Sequence, residues 1–240
     1  MAQVHVLNEQ LAAAARSFEA ETGKQDLLDR GVAIATEIFS GCDYAGVSIV
    51  HRKGVIDTPA ATNEAVRCLD ELQFTLKEGP CFDAIWSGET VHVVDLARDP
   101  RWPRWGPRVV ADLGVASMLS YRLFTTGETL GALNLYSRSL DAFDPDDINN
   151  GYALAAHLAI AIAGADTTEQ LTSAIASRTA IGQAEGILME RFDLQPAQAF
   201  AVLTRISQHS NVRLHLVALE LVKTRKLPET STDEPGPDVG

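Results

Sequence analysis

Cysteine is scarce in this 240-residue chain, with three (Cys42, Cys68 and Cys81) at unrelated spacings. An odd, scattered set does not make a disulfide framework. Long hydrophobic runs are missing too: no stretch approaches the roughly 18 uncharged apolar residues of a membrane span. The N-terminus lacks a basic region followed by an apolar run, which predicts no secretory signal. Together these absences place the protein in the cytoplasm and off the membrane. The six histidines (His5, His51, His92, His157, His209, His215) show no ligand spacing with acids or cysteines, so no metal site is expected. There is no glycine-rich phosphate loop and no nucleophile elbow. The chain therefore does not read as an enzyme, and no cofactor is identified.

What is present is ordinary globular composition, 46% hydrophobic and 22% charged, enough for one large domain or two modest ones. The net charge of −12 is unevenly spread. Residues 1–166 hold 13 Lys and Arg against 23 Asp and Glu, residues 167–228 hold 7 against 5, and residues 229–240 hold four acids and no base. Within 196–226 stand Arg205, Arg213, Lys223, Arg225 and Lys226 with one acid, Glu220. Charges beyond about 10 Å are largely screened at 0.1 M salt. An acidic total therefore leaves a local basic face free to bind phosphate.

Apolar spacing predicts helices over 3–21 and 26–39, the second capped by Asp26 and ended by Gly41. The period then changes. Segments 45–50, 54–58, 90–94, 117–124 and 129–136 read as strands, and Thr125-Thr-Gly-Glu128 reads as a hairpin turn. Residues 63–74 read as helix, Gly79-Pro80 opens another, and the segment after residue 94 reads as a loop rich in Asp, Pro and Trp. Helices around one mostly antiparallel sheet give an α+β domain. From Asp144 the composition is helical again, with no proline between 146 and 195. An uninterrupted helix over 144–191 would be about 70 Å long, a lever and a natural dimer seam. A helix starting at Pro196 carries Ala199, Val202, Leu203 and Ile206, and a last one carries Leu214, Val217, Ala218 and Leu221. Pro228 marks its end, and 229–240 is expected to be a disordered acidic tail.

Residues 178–222, from Arg178 through Ile181-Gly-Gln-Ala-Glu-Gly-Ile-Leu-Met189, Ala199-Phe200, Ser207, Asn211 and Ala218 to Val222, closely resemble the ANTAR domain, a three-helix module of bacterial transcription-antitermination regulators. Glu78-Gly-Pro-Cys-Phe-Asp83, Asp99-Pro-Arg-Trp-Pro103, Gly131-Ala-Leu-Asn-Leu-Tyr-Ser137 and Ala142-Phe-Asp144 resemble a GAF domain of the actinobacterial GAF–ANTAR type. The resemblance implies an N-terminal helical extension over 1–24, a GAF-like sensory domain over 25–165 and an RNA-binding domain over 166–228. It also implies a homodimer that recognises paired hairpins in nascent transcripts. A GAF domain implies a small-molecule effector, of unknown identity, or a dimerising role. One position departs from the family: a Lys is usual where this chain has Glu185, and a carboxylate there repels phosphate.

Hairpin RNA asks for Arg and Lys on the backbone and for amides and hydroxyls on base edges. Arg205, Ser207, Gln208, Asn211 and Arg213 supply both around one turn, and Arg178, Gln183 and Arg191 are candidates on the preceding helix. The plainer alternative is that Ser207 and Asn211 cap helices and the arginines are a solvated face. Gly182 and Gly186 each cost a helix about 1 kcal/mol, which close helix packing or close RNA approach would offset. Leu171, Ile175, Ile181, Ala184 and Leu188 form no clean heptad. In the sensory domain Phe74, Cys81, Trp102, Tyr121 and Asn134 are expected at a ligand pocket. Cys81 reads either as a redox sensor or as a small buried hydrophobe. Trp102 and Trp105 read either as a lid or as a cover on one end of the sheet. Three functions follow: a signal-responsive antitermination regulator, a signalling or dimerisation module with weakened RNA binding, or a redox sensor through Cys81.

Overall fold

The computed structural model describes residues 2–88 and 90–227, and the side chains from residue 9 onward. The expected acidic tail and Pro228 lie outside the described residues. The chain divides into two compact units, residues 1–167 and 168–240, each described by itself.

The first unit is built on a five-stranded sheet. Helices α1 (Ala2–Ala20) and α2 (Lys24–Ile38) lead into strand β1 (Tyr44–Val50), which turns into β2 (Ile56–Ala61). Helices α3 (Glu64–Leu76) and α4 (Pro80–Ser87) follow, then β3 (Val91–Val93), α5 (Gly106–Leu113), β4 (Ser117–Phe124), β5 (Thr129–Ser137) and α6 (Pro145–Phe192). The sheet order is β2-β1-β5-β4-β3, with every neighbour antiparallel. Both faces of β5 are covered, so it reads as a nearly continuous apolar run rather than an alternating one.

Strand alternation sorts the core into two layers. Ala45, Val47, Ile49, Leu119, Tyr121, Leu123, Leu133 and Leu135 pack with Phe18, Leu28, Val32, Leu154, Leu158 and Ile162, on one face. Met118, Ala132 and Tyr136 pack with Val66, Leu69, Cys81, Ile85, Trp102, Trp105 and Val109, on the other. Tyr121 belongs to the first layer: its ring meets Tyr152 edge-on at 5.5 Å, and its hydroxyl donates to the carbonyls of Asp147 and Ile148.

Several local details differ from the sequence-based expectation. The residue before α2 is Gly23, not Asp26, which sits inside the first turn. Helix α5, inside what reads as a Pro- and Trp-rich loop, forms because Trp105 and Val109 anchor it in the second layer. The α6 start follows the expected logic more closely. Asp144 accepts from the Asp147 amide at 2.8 Å and Asp147 accepts from the Asp144 amide at 3.2 Å, a reciprocal cap on an acidic first turn. No helix among the described residues is long and apolar enough to cross a membrane.

The second unit holds the C-terminal part of α6, then α7 (Pro196–Ser210) and α8 (Leu214–Thr224). Ala180, Ala184, Leu188, Ala199, Leu203, Ile206, Val217, Ala218 and Leu221 form its core. Pro196 opens α7, where a missing N–H costs nothing. Asn211 closes it in the left-handed conformation, at φ 52°.

Gly151 and Gly182 make a paired test of this packing. A Cβ on Gly151 would collide with the Tyr121 ring, whereas one on Gly182 would meet nothing within 4 Å. Gly151→Ala should destabilise by about 1–3 kcal/mol. Gly182→Ala should stabilise by up to about 1 kcal/mol. Chemical denaturation reads both, and equal effects would contradict the layer assignment.

Candidate nucleic-acid interface and a buried polar cluster

Residues around the α7–α8 turn divide into those that build it and those that it displays. The Ser207 hydroxyl donates to the Val212 carbonyl at 2.6 Å, and the Ser207 carbonyl accepts from the Asn211 and Val212 amides. Ser207 thus fixes the turn, as the plainer alternative had it. Asn211 supplies the left-handed backbone that an asparagine tolerates, and its side-chain amide bonds to no described residue. Arg205 and Gln208 are three apart on α7, and so share a face. Both are exposed, as is Arg213 at the start of α8.

The α6 candidates separate. Gln183 and Arg191 line a groove of about 500 Å³ together with Gly186, Ile187, Glu190, Val222 and Arg225. Arg191 Nη1 donates to the Arg225 carbonyl at 2.8 Å. Arg178 is five residues before Gln183, about 140° around the helix, and does not join that groove. Glu185 is half-buried and does not line it either. Arg225 was not among the candidates; the basic run Lys223-Thr-Arg-Lys226 is the sequence signal that could have found it. Gly182 and Gly186 have open space where a Cβ would sit, so packing within this chain does not offset their cost.

Ion pairing differs in degree between the units. In the first, six of the thirteen bases (Lys24, Arg30, Arg67, Arg98, Arg101 and Arg104) pair with a carboxylate. In the second, none of the seven bases (Arg178, Arg191, Arg205, Arg213, Lys223, Arg225, Lys226) makes an ion pair among the described residues. Exposed cations without carboxylate partners are open to phosphate.

In the first unit, polar side chains converge beneath the second layer. Asp70 on α3 is fully buried. It accepts from Thr58 at 2.9 Å, Gln73 at 3.0 Å, Ser48 at 3.3 Å, Asn134 at 3.5 Å and the Tyr136 hydroxyl. Gln73 in turn accepts from the Cys81 amide at 2.9 Å, and Ser120 donates to Asn134 at 2.7 Å. Burial pushes the Asp70 carboxyl up to about 6, against the pull of its donors. The Cys81 thiol, fully buried and donating to Ser48 at 3.4 Å, is likewise pushed upward by burial. That is the reverse of the depressed value a reactive thiolate needs.

The five expected pocket residues are thereby divided. Cys81 and Asn134 meet in this cluster. Trp102 lies in the adjoining core, stacked edge-on with Trp105 and donating to Asp83 at 2.9 Å, and both tryptophans are buried. Phe74 is half-buried at the margin of the same layer. Tyr121 belongs to the opposite face and takes no part. A separate cleft of about 250 Å³ runs past Tyr44, Asn63, Leu69, Asp112 and Arg138, and none of the five lines it. No group of metal-ligating side chains is found among the described residues.

Comparison with known proteins matches each unit to a family. The GAF domain family model matches residues 21–163 and the ANTAR domain family model matches residues 169–222. No curated protein matches the chain. Among solved structures, the fold is shared with a free methionine-R-sulfoxide reductase from Neisseria meningitidis, at 20% identity, covering 68% of this chain and 91% of that one, with a TM-score of 0.55. It is shared also with the GAF domains of two phosphoenolpyruvate-protein phosphotransferases. The one from Acinetobacter is 14% identical over 69% of this chain and 98% of that one, and the one from Coxiella burnetii 19% identical over 68% and 96%, both with a TM-score of 0.55.

The buried carboxyl sets a pH test. Its raised value favours the protonated form in the folded state. The stability it confers is complete below the ordinary carboxylate value of 3.8 and is lost as pH rises through about 6. Relative to Asp70→Asn, the parent protein should lose up to about 3 kcal/mol between pH 4 and pH 7. A parent-to-variant difference that stays flat across that range, by denaturant titration, would contradict the assignment.

Proposed function

The chain belongs to the GAF domain family and carries a C-terminal ANTAR domain, an architecture of RNA-binding antitermination regulation joined to a sensor, and from it we propose a signal-responsive, homodimeric, cytoplasmic regulator that binds paired hairpins in nascent transcripts. The sensory part is taken as residues 25–165 and the RNA-binding part as 166–228. The observation that carries the reading is the seven C-terminal bases without carboxylate partners. Arg205, Gln208, Asn211 and Arg213 form one contact region and Gln183, Arg191 and Arg225 another. Arg178 contributes from a third direction, and Ser207 holds the first region in shape.

The GAF–ANTAR architecture points to a regulator and not to an enzyme, although one fold relative is a reductase. We place the effector site against the Cys81–Asn134 side of the sheet, with Phe74 and Trp102 at its margin and Tyr121 outside it. A small molecule would act by favouring one of two states for which its affinity differs. Burial of Cys81 argues against the redox reading. Dimerisation is supported by exposed Leu171 and Ile175. Gly182, eleven residues past Leu171, keeps to the same side of the helix and has open space around it.

Binding of paired-hairpin and single-hairpin RNAs to the whole protein tests the proposal. The paired form should bind more tightly. Asn211→Ala should cost about 1–3 kcal/mol if it reads a base, and Arg205→Glu should weaken all hairpin sequences alike. Variants that bind as well as the parent would overturn the contact assignment. No binding by the parent at low salt would favour a signalling module whose RNA surface has weakened, as Glu185 would suggest.

A further inference from the structure

The groove bounded by Arg191 and Arg225 stands where the described chain ends. Helix α8 stops at Thr224, Arg225 turns the backbone with φ 60°, and Leu227 is the last described residue. Thirteen residues follow, Pro228 to Gly240, with Glu229, Asp233, Glu234 and Asp238 and no base. Extended, thirteen residues reach about 43 Å. The groove wall at Arg225 is two residues from Leu227, so it lies well inside that reach.

The chemistry of the groove suits a carboxylate-bearing peptide. Arg191 and Arg225 make no ion pair among the described residues, although Glu190 lines the same groove. Lys223 and Lys226 stand on either side of Arg225 in sequence and are likewise unpaired. Ile187 and Val222 give the groove an apolar floor, and Gly186 leaves room for a backbone to approach. A guanidinium takes a carboxylate in the same forked geometry as a phosphate. A tethered segment acts at an effective concentration in the millimolar range. Contacts too weak to matter between separate molecules therefore become significant within one chain.

We propose that the acidic segment 228–240 docks in the Arg191–Arg225 groove of its own chain and competes there with RNA phosphate. The docking stands on charge, reach and the groove alone; only its consequence rests on the RNA-binding reading. Occupied, the groove withholds two of the seven bases. A hairpin RNA must displace the segment before it can use them.

The test uses the whole chain and a full-length variant carrying Glu229→Gln, Asp233→Asn, Glu234→Gln and Asp238→Asn. Without RNA, the side-chain Nε–Hε resonances of Arg191 and Arg225 should differ between the two proteins at low salt and converge at high salt. With paired-hairpin RNA, the variant should bind about threefold to tenfold more tightly at low salt, the gap closing as salt rises. Arginine resonances that are the same in both proteins overturn the proposal, whatever the RNA does. Resonances that differ while neither protein binds RNA uphold the docking and sink the RNA reading instead. A difference that disappears on tenfold dilution assigns the groove to another copy's segment and overturns docking within one chain.

Discussion

Alanine fills four of the nine buried positions in the core of the C-terminal helices. Ala180, Ala184, Ala199 and Ala218 are all buried, and none has a side chain long enough to hold its neighbour away. Leu188, Leu203 and Leu221 fill the space between, with Ile206 and Val217. This small core takes the inward positions of three helices and leaves the polar ones no inward place to go. Every base of the unit is consequently displayed, and none makes an ion pair among the described residues. The turn held by Ser207 and Asn211 then fixes how Arg205, Gln208 and Arg213 are presented.

The sensory unit solves a different problem, that of a sheet with no free face. Helices α1, α2 and α6 cover one side, while α3, α4 and α5 cover the other. On the second side the interior is not wholly apolar. Ser48, Asp70, Gln73, Ser120 and Asn134 are buried together and bonded to one another, which keeps the desolvation of each from becoming prohibitive. Asp70 is the least comfortable of them, a carboxyl that burial brings close to its titration point at neutral pH. Buried groups that are satisfied only by one another are sensitive to any molecule offering a better partner.

Much of this was legible in the sequence. The hairpin turn at Thr125–Glu128, the long helix from Asp144 and the periodic apolar positions of α7 and α8 follow from local chemistry. What failed depended on register or on angle. Tyr121 and Asn134 both sit in strands, but Asn134 pairs with Ser120 and Tyr121 with Leu133, so the two face opposite layers. That parity is invisible until the pairing is known. Arg178 and Gln183 look adjacent in the chain, yet five residues on a helix turn them apart. Helix α5 was hidden because its anchors, Trp105 and Val109, fold inward from a segment whose prolines read as loop. Arg225 lies beyond Val222, the last residue that carries the family resemblance, so the resemblance does not point to it.

The account turns on phosphate being met by cations that have no partner of their own. Such contacts release counterions, so the logarithm of the RNA binding constant should fall linearly with the logarithm of salt concentration, by about 0.7 to 0.9 for each phosphate neutralised. The decisive measurement is that slope for the whole protein with a paired-hairpin RNA. A slope worth several contacts, reduced by about one in Arg225→Gln, is the predicted result. Tight binding with a slope near zero would contradict it, because the unpaired bases would then have no part in holding the RNA.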